Sequence, residues 1–206
     1  MRISDLSRES GVPIPTIKFY LREGLLPAGD RTARNQAAYR TAHVRRLHLI
    51  RVLVDVGGLS LQAVRRVLSA LGRDGAPLHD VLAEAHTGLS HETPDSDPGV
   101  RAARAETDAW LAGLGWVLSE NSPARNDLAE ALVALRALGW EVGPDVFARY
   151  ATHASALAEA EIAYVATALR PDTAVETTVI GTVVFERVLV ALRRLAQEHH
   201  SRERFG

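Results

Sequence analysis

Lysine occurs once in the 206 residues, at position 18. It stands in the string TIKFYLREG, four residues before Arg22, which is about one helical turn and so the same face. A lysine and an arginine presented together on one short helix suit nucleic acid. Lys18 can donate to phosphate or to the guanine acceptors of a major groove, and Arg22 can bridge to the backbone. Thr16, Phe19 and Tyr20 belong to the same stretch, and Arg34, Tyr39 and Arg40 follow in and after a turn-rich segment. Tyr20 lies three residues after Ile17 and serves equally as a core ring, a hinge ring or a DNA contact.

Charge supports the same partner once it is divided along the chain. The net charge of −1 conceals a basic segment: residues 1–71 hold 12 Lys or Arg against 5 Asp or Glu, and the remainder holds 12 against 20. That is +7 beside −8, the footprint of one domain that meets phosphate and one that does not, although chance clustering on a solvated face gives the same imbalance. Cysteine is absent, which excludes disulfides, thiolate metal sites and cysteine nucleophiles. No Gly-rich phosphate loop, GxSxG, HExxH or convincing carboxylate pair occurs, so no enzyme, cofactor or metal site is expected. His199 and His200 are adjacent and expected to point apart, easing the dipole of a last helix, and His153 reads as packing. No apolar run approaches the roughly 18 residues of a membrane span, and a cytoplasmic protein without a signal peptide is expected.

The elements that must position these side chains are mainly helical. Ser4 can cap a short helix that Gly11 stops. A second runs from Pro13 to Gly24, with Ile17 and Leu21 inward, Lys18, Phe19 and Arg22 on the outer face, and both prolines in its first turn. LLPAGDRTARNQAAY, with Arg31 and Arg34, reads as a hairpin-like wing. Thr41 can cap a third helix carrying Val44, Leu47, Ile50 and Val54, which Gly57 and Gly58 end. Ser60 can cap a fourth that closes near Leu71. Arg45, Arg46, Arg65 and Arg66 read as solvated helix faces.

The ordered string GVPIPTIKFYLREGLLP, then an arginine-bearing loop closing with AAYR, then HVRRLHLIRVLVDVGGLSLQAVRRVL, resembles the DNA-binding domain of the MerR family. The resemblance covers Ile3 to about Leu71. It implies a winged helix-turn-helix of four helices and a small β wing, with Thr16, Lys18, Phe19, Tyr20 and Arg22 on the recognition helix and Arg34, Tyr39 and Arg40 at wing positions. Phe19 stands where the family more usually has tyrosine, which removes one hydroxyl. The resemblance also implies a bacterial homodimer on a two-fold DNA operator, as repressor or activator, with RNA polymerase as a further partner where a promoter spacer is untwisted.

Residues 72–100 are expected as a linker with a short helix, and 101–206 as an all-helical effector-binding and dimerisation domain. Pro77, Gly88, Pro94, Pro98 and Gly99 interrupt the coiled coil that would follow such a DNA-binding domain. Helices are expected over Arg101 to Leu118, from Pro123, capped by Ser122, through Leu138, from Asp145 to Pro171, and from Asp172 to about His200. The last two are similar to the C-terminal helices of TetR-type effector domains. That likeness implies a dimer interface at Val179, Val183, Val184, Val188 and Leu192. It also implies an apolar pocket for a small hydrophobic effector among Trp110, Trp116, Trp140, Phe147, Tyr150 and Tyr164, although each aromatic taken singly reads as core. The expected function is an operator-specific transcriptional regulator under effector control. The alternatives are a ligand-sequestering helical protein and an architectural DNA-binding module.

Overall fold

The computed structural model describes residues 1–33, 36–72, 80, 83, 86–87, 97–168 and 171–206, with side-chain surroundings described outside 32–36 and 165–178. The expected linker over 72–100 lies mostly outside the described residues. Helix dominates, and β structure among the described residues is one antiparallel pair.

Helix α1, Ile3–Ser10, begins one residue before the expected cap. Asp5 closes its first turn by accepting from the Arg2 backbone N–H at 3.0 Å. Gly11 ends it at φ 66°, a left-handed geometry that costs glycine little. The turn that follows is pinned by Ser7, whose hydroxyl donates to the Val12 carbonyl at 2.7 Å. Helix α2, Ile14–Arg22, starts behind Pro13 and buries Ile17 and Tyr20. Its exit is tight, because the Leu25 and Leu26 N–H groups both donate to the Tyr20 carbonyl and both leucines are buried.

Strands β1, Asp30–Ala33, and β2, Gln36–Ala38, pair antiparallel as the expected wing, with an irregularity between Arg31 and Ala33. The wing is tied to the chain start, where the Tyr39 N–H donates to the Met1 carbonyl and the Met1 ammonium donates to the Tyr39 carbonyl. Helix α3, Thr41–Arg51, continues as a π-helical turn, Val52–Val56, before Gly57. Thr41 is its first residue rather than its cap; His43 Nδ1 accepts the Arg40 N–H at 3.0 Å. Helix α4, Leu61–Leu71, opens on Ser60, whose hydroxyl accepts from Ala63 N–H as its position predicts.

Helix α5, Pro98–Gly113, begins earlier and ends earlier than the sequence suggested, because Asp97 caps it by accepting from Gly99 N–H at 2.7 Å. Helix α6, Ala124–Ala137, packs along α5 around Ala103, Ala129 and Leu132. Ser122 was the expected cap, but Pro123 takes that position without a side-chain bond. Asp108 accepts from both Arg104 and Arg125, locking the turn between these helices. A 3-10 turn, Pro144–Phe147, leads into α7, Ala148–Ala168, and α8 runs unbroken over Pro171–Phe205.

At about 1.5 Å per residue, α8 spans roughly 50 Å. Its first half crosses the expected division of the chain. Val179 and Val183 are buried in the same core as Leu6, Ile17, Leu47, Leu53 and Val64, so the N-terminal head is completed by residues more than a hundred positions downstream. Leu53, Gly57 and Leu59 receive Val183, and Arg187 donates to the Gly57 carbonyl at 3.3 Å. Two of the four valines expected at a dimer interface, Val179 and Val183, are therefore used inside the chain.

Candidate nucleic-acid interface

Helix α2 presents its two faces as the spacing predicts. Ile17 is fully buried beneath it, and Lys18 and Arg22 are exposed on the other side. Thr16 is half-buried at the edge of this surface. Phe19, expected on the outer face, is instead half-buried and packs back against the core, with its ring 5.8 Å from that of Tyr20. A phenylalanine suits that role, since it has no hydroxyl to satisfy.

Tyr20 and Tyr39 occupy a different layer from the two cations. Both are 8% exposed members of the head's core. Burial raises the Tyr20 phenol above its ordinary pKa, with the Asp55 charge adding to the effect and Arg51 opposing it. Tyr39 stacks edge-on against His43 with centroids 5.3 Å apart. The tyrosines thus hold α2 and the wing root to the body.

Arg40 is exposed at the wing root and already engaged. It donates twice to one oxygen of Asp30, at 2.9 Å and 2.6 Å, in a pair with both side chains largely solvated. A phosphate at this point must displace or share that carboxylate. Arg34, the remaining wing candidate, lies outside the described residues; Arg31, on β1, is exposed.

Two arginines assigned to solvated faces have structural work instead. Arg46 donates to the Leu25 carbonyl at 3.0 Å, and Arg65 donates to both the carbonyl and the carboxylate of Glu23. Together they brace the exit of α2 from α3 and α4. Both carbonyls lie in the turn after a short helix, where orphan acceptors are expected. That demand for donors was the signal available in the sequence.

Behind the head, Trp110, Trp116, Trp140, Phe147 and Tyr150 line one cavity of about 820 Å³ between α5, α6, the 3-10 turn and α7. Tyr164 is exposed, ten residues past Ala154, and does not line it. Arg193, from α8, reaches its rim. The sequence reading did not find Arg193, because nothing local marks one arginine in a helix that carries several.

Along α8, Val184 is half-buried, while Val188 and Leu192 are 41% and 58% exposed. His199 and His200 converge rather than diverge: both approach Glu203, at 3.4 Å and 3.1 Å, with their rings 4.9 Å apart. The shared carboxylate draws the two side chains together across one turn. His153 is exposed rather than packed. Among the described residues no helix is long and apolar enough to cross a membrane.

Comparison with known proteins agrees with this geometry. The family model for MerR helix-turn-helix regulatory proteins matches residues 1–71. The mercuric resistance operon regulatory protein of Bacillus cereus is 34% identical over 80 residues, covering 39% of this chain and 60% of that protein. The nodulation protein NolA of Bradyrhizobium sp. (strain NC92) is 37% identical over 67 residues, covering 32% of this chain and 28% of NolA. The chain thus matches less than two thirds of either curated relative. The crystal structure of SCO5550, a candidate transcriptional regulator of Streptomyces coelicolor A3(2), is similar over its whole length: 38% identity and a TM-score of 0.73, covering 100% of this chain and 98% of that one. No enzyme stands among these matches. The head with its matched family model and the full-length likeness to a regulator structure lead to one assignment: the chain belongs to the MerR family of helix-turn-helix regulatory proteins.

Proposed function

We propose that this protein is an operator-specific transcriptional regulator of the cytoplasm that binds two-fold DNA as a homodimer and responds to a small apolar effector. The observation that carries the reading is the solvent-facing pair Lys18 and Arg22 on a helix whose opposite face is locked into a core by Ile17 and Tyr20. A rigid short helix with one cationic face is what major-groove insertion requires.

Pairing of two copies is supported by α8. Val183 and Leu192 are nine residues apart, two and a half turns, and so lie on opposite faces. One face is spent on the head. The other carries Phe185, Val188, Leu189, Leu192 and Leu195 at three- and four-residue spacing, all more than 40% exposed. An apolar stripe of this length in water favours a second copy of itself. The effector is supported by the cavity, whose walls are almost entirely aliphatic and aromatic.

The direct test is binding of the full-length protein to the DNA upstream of its own coding sequence, measured by fluorescence anisotropy across a salt series. Affinity should fall steeply as salt rises, with each phosphate contact contributing about 0.9 to the log–log slope. Lys18→Ala and Arg22→Ala should each weaken binding by about ten-fold, corresponding to a loss of about 1–3 kcal/mol at a base or phosphate contact. Unchanged affinity in both would remove α2 as the recognition helix. Equal affinity for unrelated DNA would favour an architectural role over an operator-specific one.

A further inference from the structure

The cavity behind the head contains an asymmetry that its apolar walls alone do not explain. The chain's three tryptophans, Trp110, Trp116 and Trp140, all line it. Aromatic walls of this kind ordinarily attract cations, through the negative faces of the rings. Here that role is already filled from within. The Arg193 guanidinium lies 5.6 Å from the centre of the Tyr150 ring and donates to its hydroxyl at 3.3 Å. No carboxylate lines the cavity, and none pairs with Arg193 among the described residues.

We propose that this cavity selects amphipathic aromatic anions, with the ring system held among the tryptophans and a carboxylate, sulfonate or phenolate received by Arg193. The proposal rests on the effector reading and names its ligand class. A second cation would meet the exposed guanidinium at the open mouth of an apolar-walled cleft, where like charges repel. An anion there gains a charge-assisted hydrogen bond, and the planar fork of arginine suits a two-oxygen head group. The volume of about 820 Å³ falls within the usual range for a small organic ligand. Arg193 also belongs to the helix whose Val183 and Arg187 hold the Gly57 turn of the head. Ligand and DNA-binding head therefore share one rigid element.

The experiment uses two dyes that differ only by one sulfonate group. 8-Anilinonaphthalene-1-sulfonate and its neutral parent, N-phenyl-1-naphthylamine, are titrated into the full-length protein, with energy transfer from the cavity tryptophans as the readout. Arg193→Gln should weaken the sulfonate by about ten- to a hundred-fold, the worth of a charged hydrogen bond, and leave the neutral dye within about two-fold. Arg193→Lys should restore most of the sulfonate binding. Equal effects of Arg193→Gln on both dyes, or none on either, would overturn the anion selection, since an arginine that merely props Tyr150 does not distinguish them. Ala151→Phe, which fills the cavity, should weaken both dyes together, with folding checked by circular dichroism. If it changes neither, both dyes bind elsewhere and the effector reading fails with the proposal.

Discussion

Asp30 shows how single side chains set the strength of the DNA-facing surface. Its carboxylate holds Arg40 at 2.6 Å where the wing meets α3, yet both groups are largely solvated. Exposed pairs of this sort contribute about 0–1 kcal/mol to stability. The same carboxylate repels an approaching phosphate and occupies its natural partner. Asp30→Asn is therefore expected to leave thermal stability within a few degrees of the parent and to raise affinity for any duplex several-fold, with a steeper salt dependence. Anisotropy on operator and scrambled DNA checks this, and unchanged binding to both would show that Arg40 stays clear of the backbone. Lys18 and Arg22 are exposed like Arg40, but on the surface of a single helix, α2. Spacing alone made that pair legible, because a four-residue interval fixes a helix face. It did not separate the tyrosines from them, since a phenol suits a core and a DNA contact equally well, whereas the rings of Tyr20 and Tyr39 turn into the core.

The turn after α3 is where one element constrains another. Gly57 has an ordinary helical φ of −71°, so conformational freedom is not why glycine is needed. Space is the reason: a Cβ there would lie 2.5 Å from Val183 and 2.6 Å from both the Leu53 carbonyl and Leu59. Gly57→Ala must push α8 away from the head or distort the π turn. Overpacking of this kind costs about 1–3 kcal/mol. The expected result is a lower unfolding midpoint in urea, together with faster proteolytic cleavage near the start of α8. Intact protection of α8 would show that the helix relaxes without leaving the head. None of this was readable from the sequence. Local signals gave the helices and most of their ends, since caps, glycines and prolines act within a turn of where they stand. The docking of α8 instead depends on Val179 and Val183 meeting Leu53 and Leu59 across more than a hundred residues. A β-branched run suits a helix–helix dimer and a helix–head contact equally well, so pattern could not choose between them.

At the scale of the whole molecule, two demands fall on opposite faces of one helix. The DNA-binding heads of a dimer on B-form DNA must stand about 34 Å apart to meet successive major grooves. In the proposed dimer, a continuous helix of roughly 50 Å, fixed to the head at one end and pairing through its other face, would transmit any change in the pairing to that separation. The cavity touches the same helix at Arg193, between the head contact and the free end. A ligand that favours one tilt of α8 therefore favours one head spacing, by as much as its affinity for the two tilts differs. This scheme requires that the exposed stripe be the contact between copies. Leu192 is 58% exposed within one chain, so Leu192→Glu should leave the single-chain fold intact. Sedimentation is expected to shift from twice 22.3 kDa to 22.3 kDa. Operator affinity should then drop by at least about a hundred-fold, and the salt slope should halve, because one head neutralises half as many phosphates as two. A dimer that survives this charge, with its operator affinity unchanged, would place the two-fold axis on another surface and leave α8 to serve the head and the cavity alone.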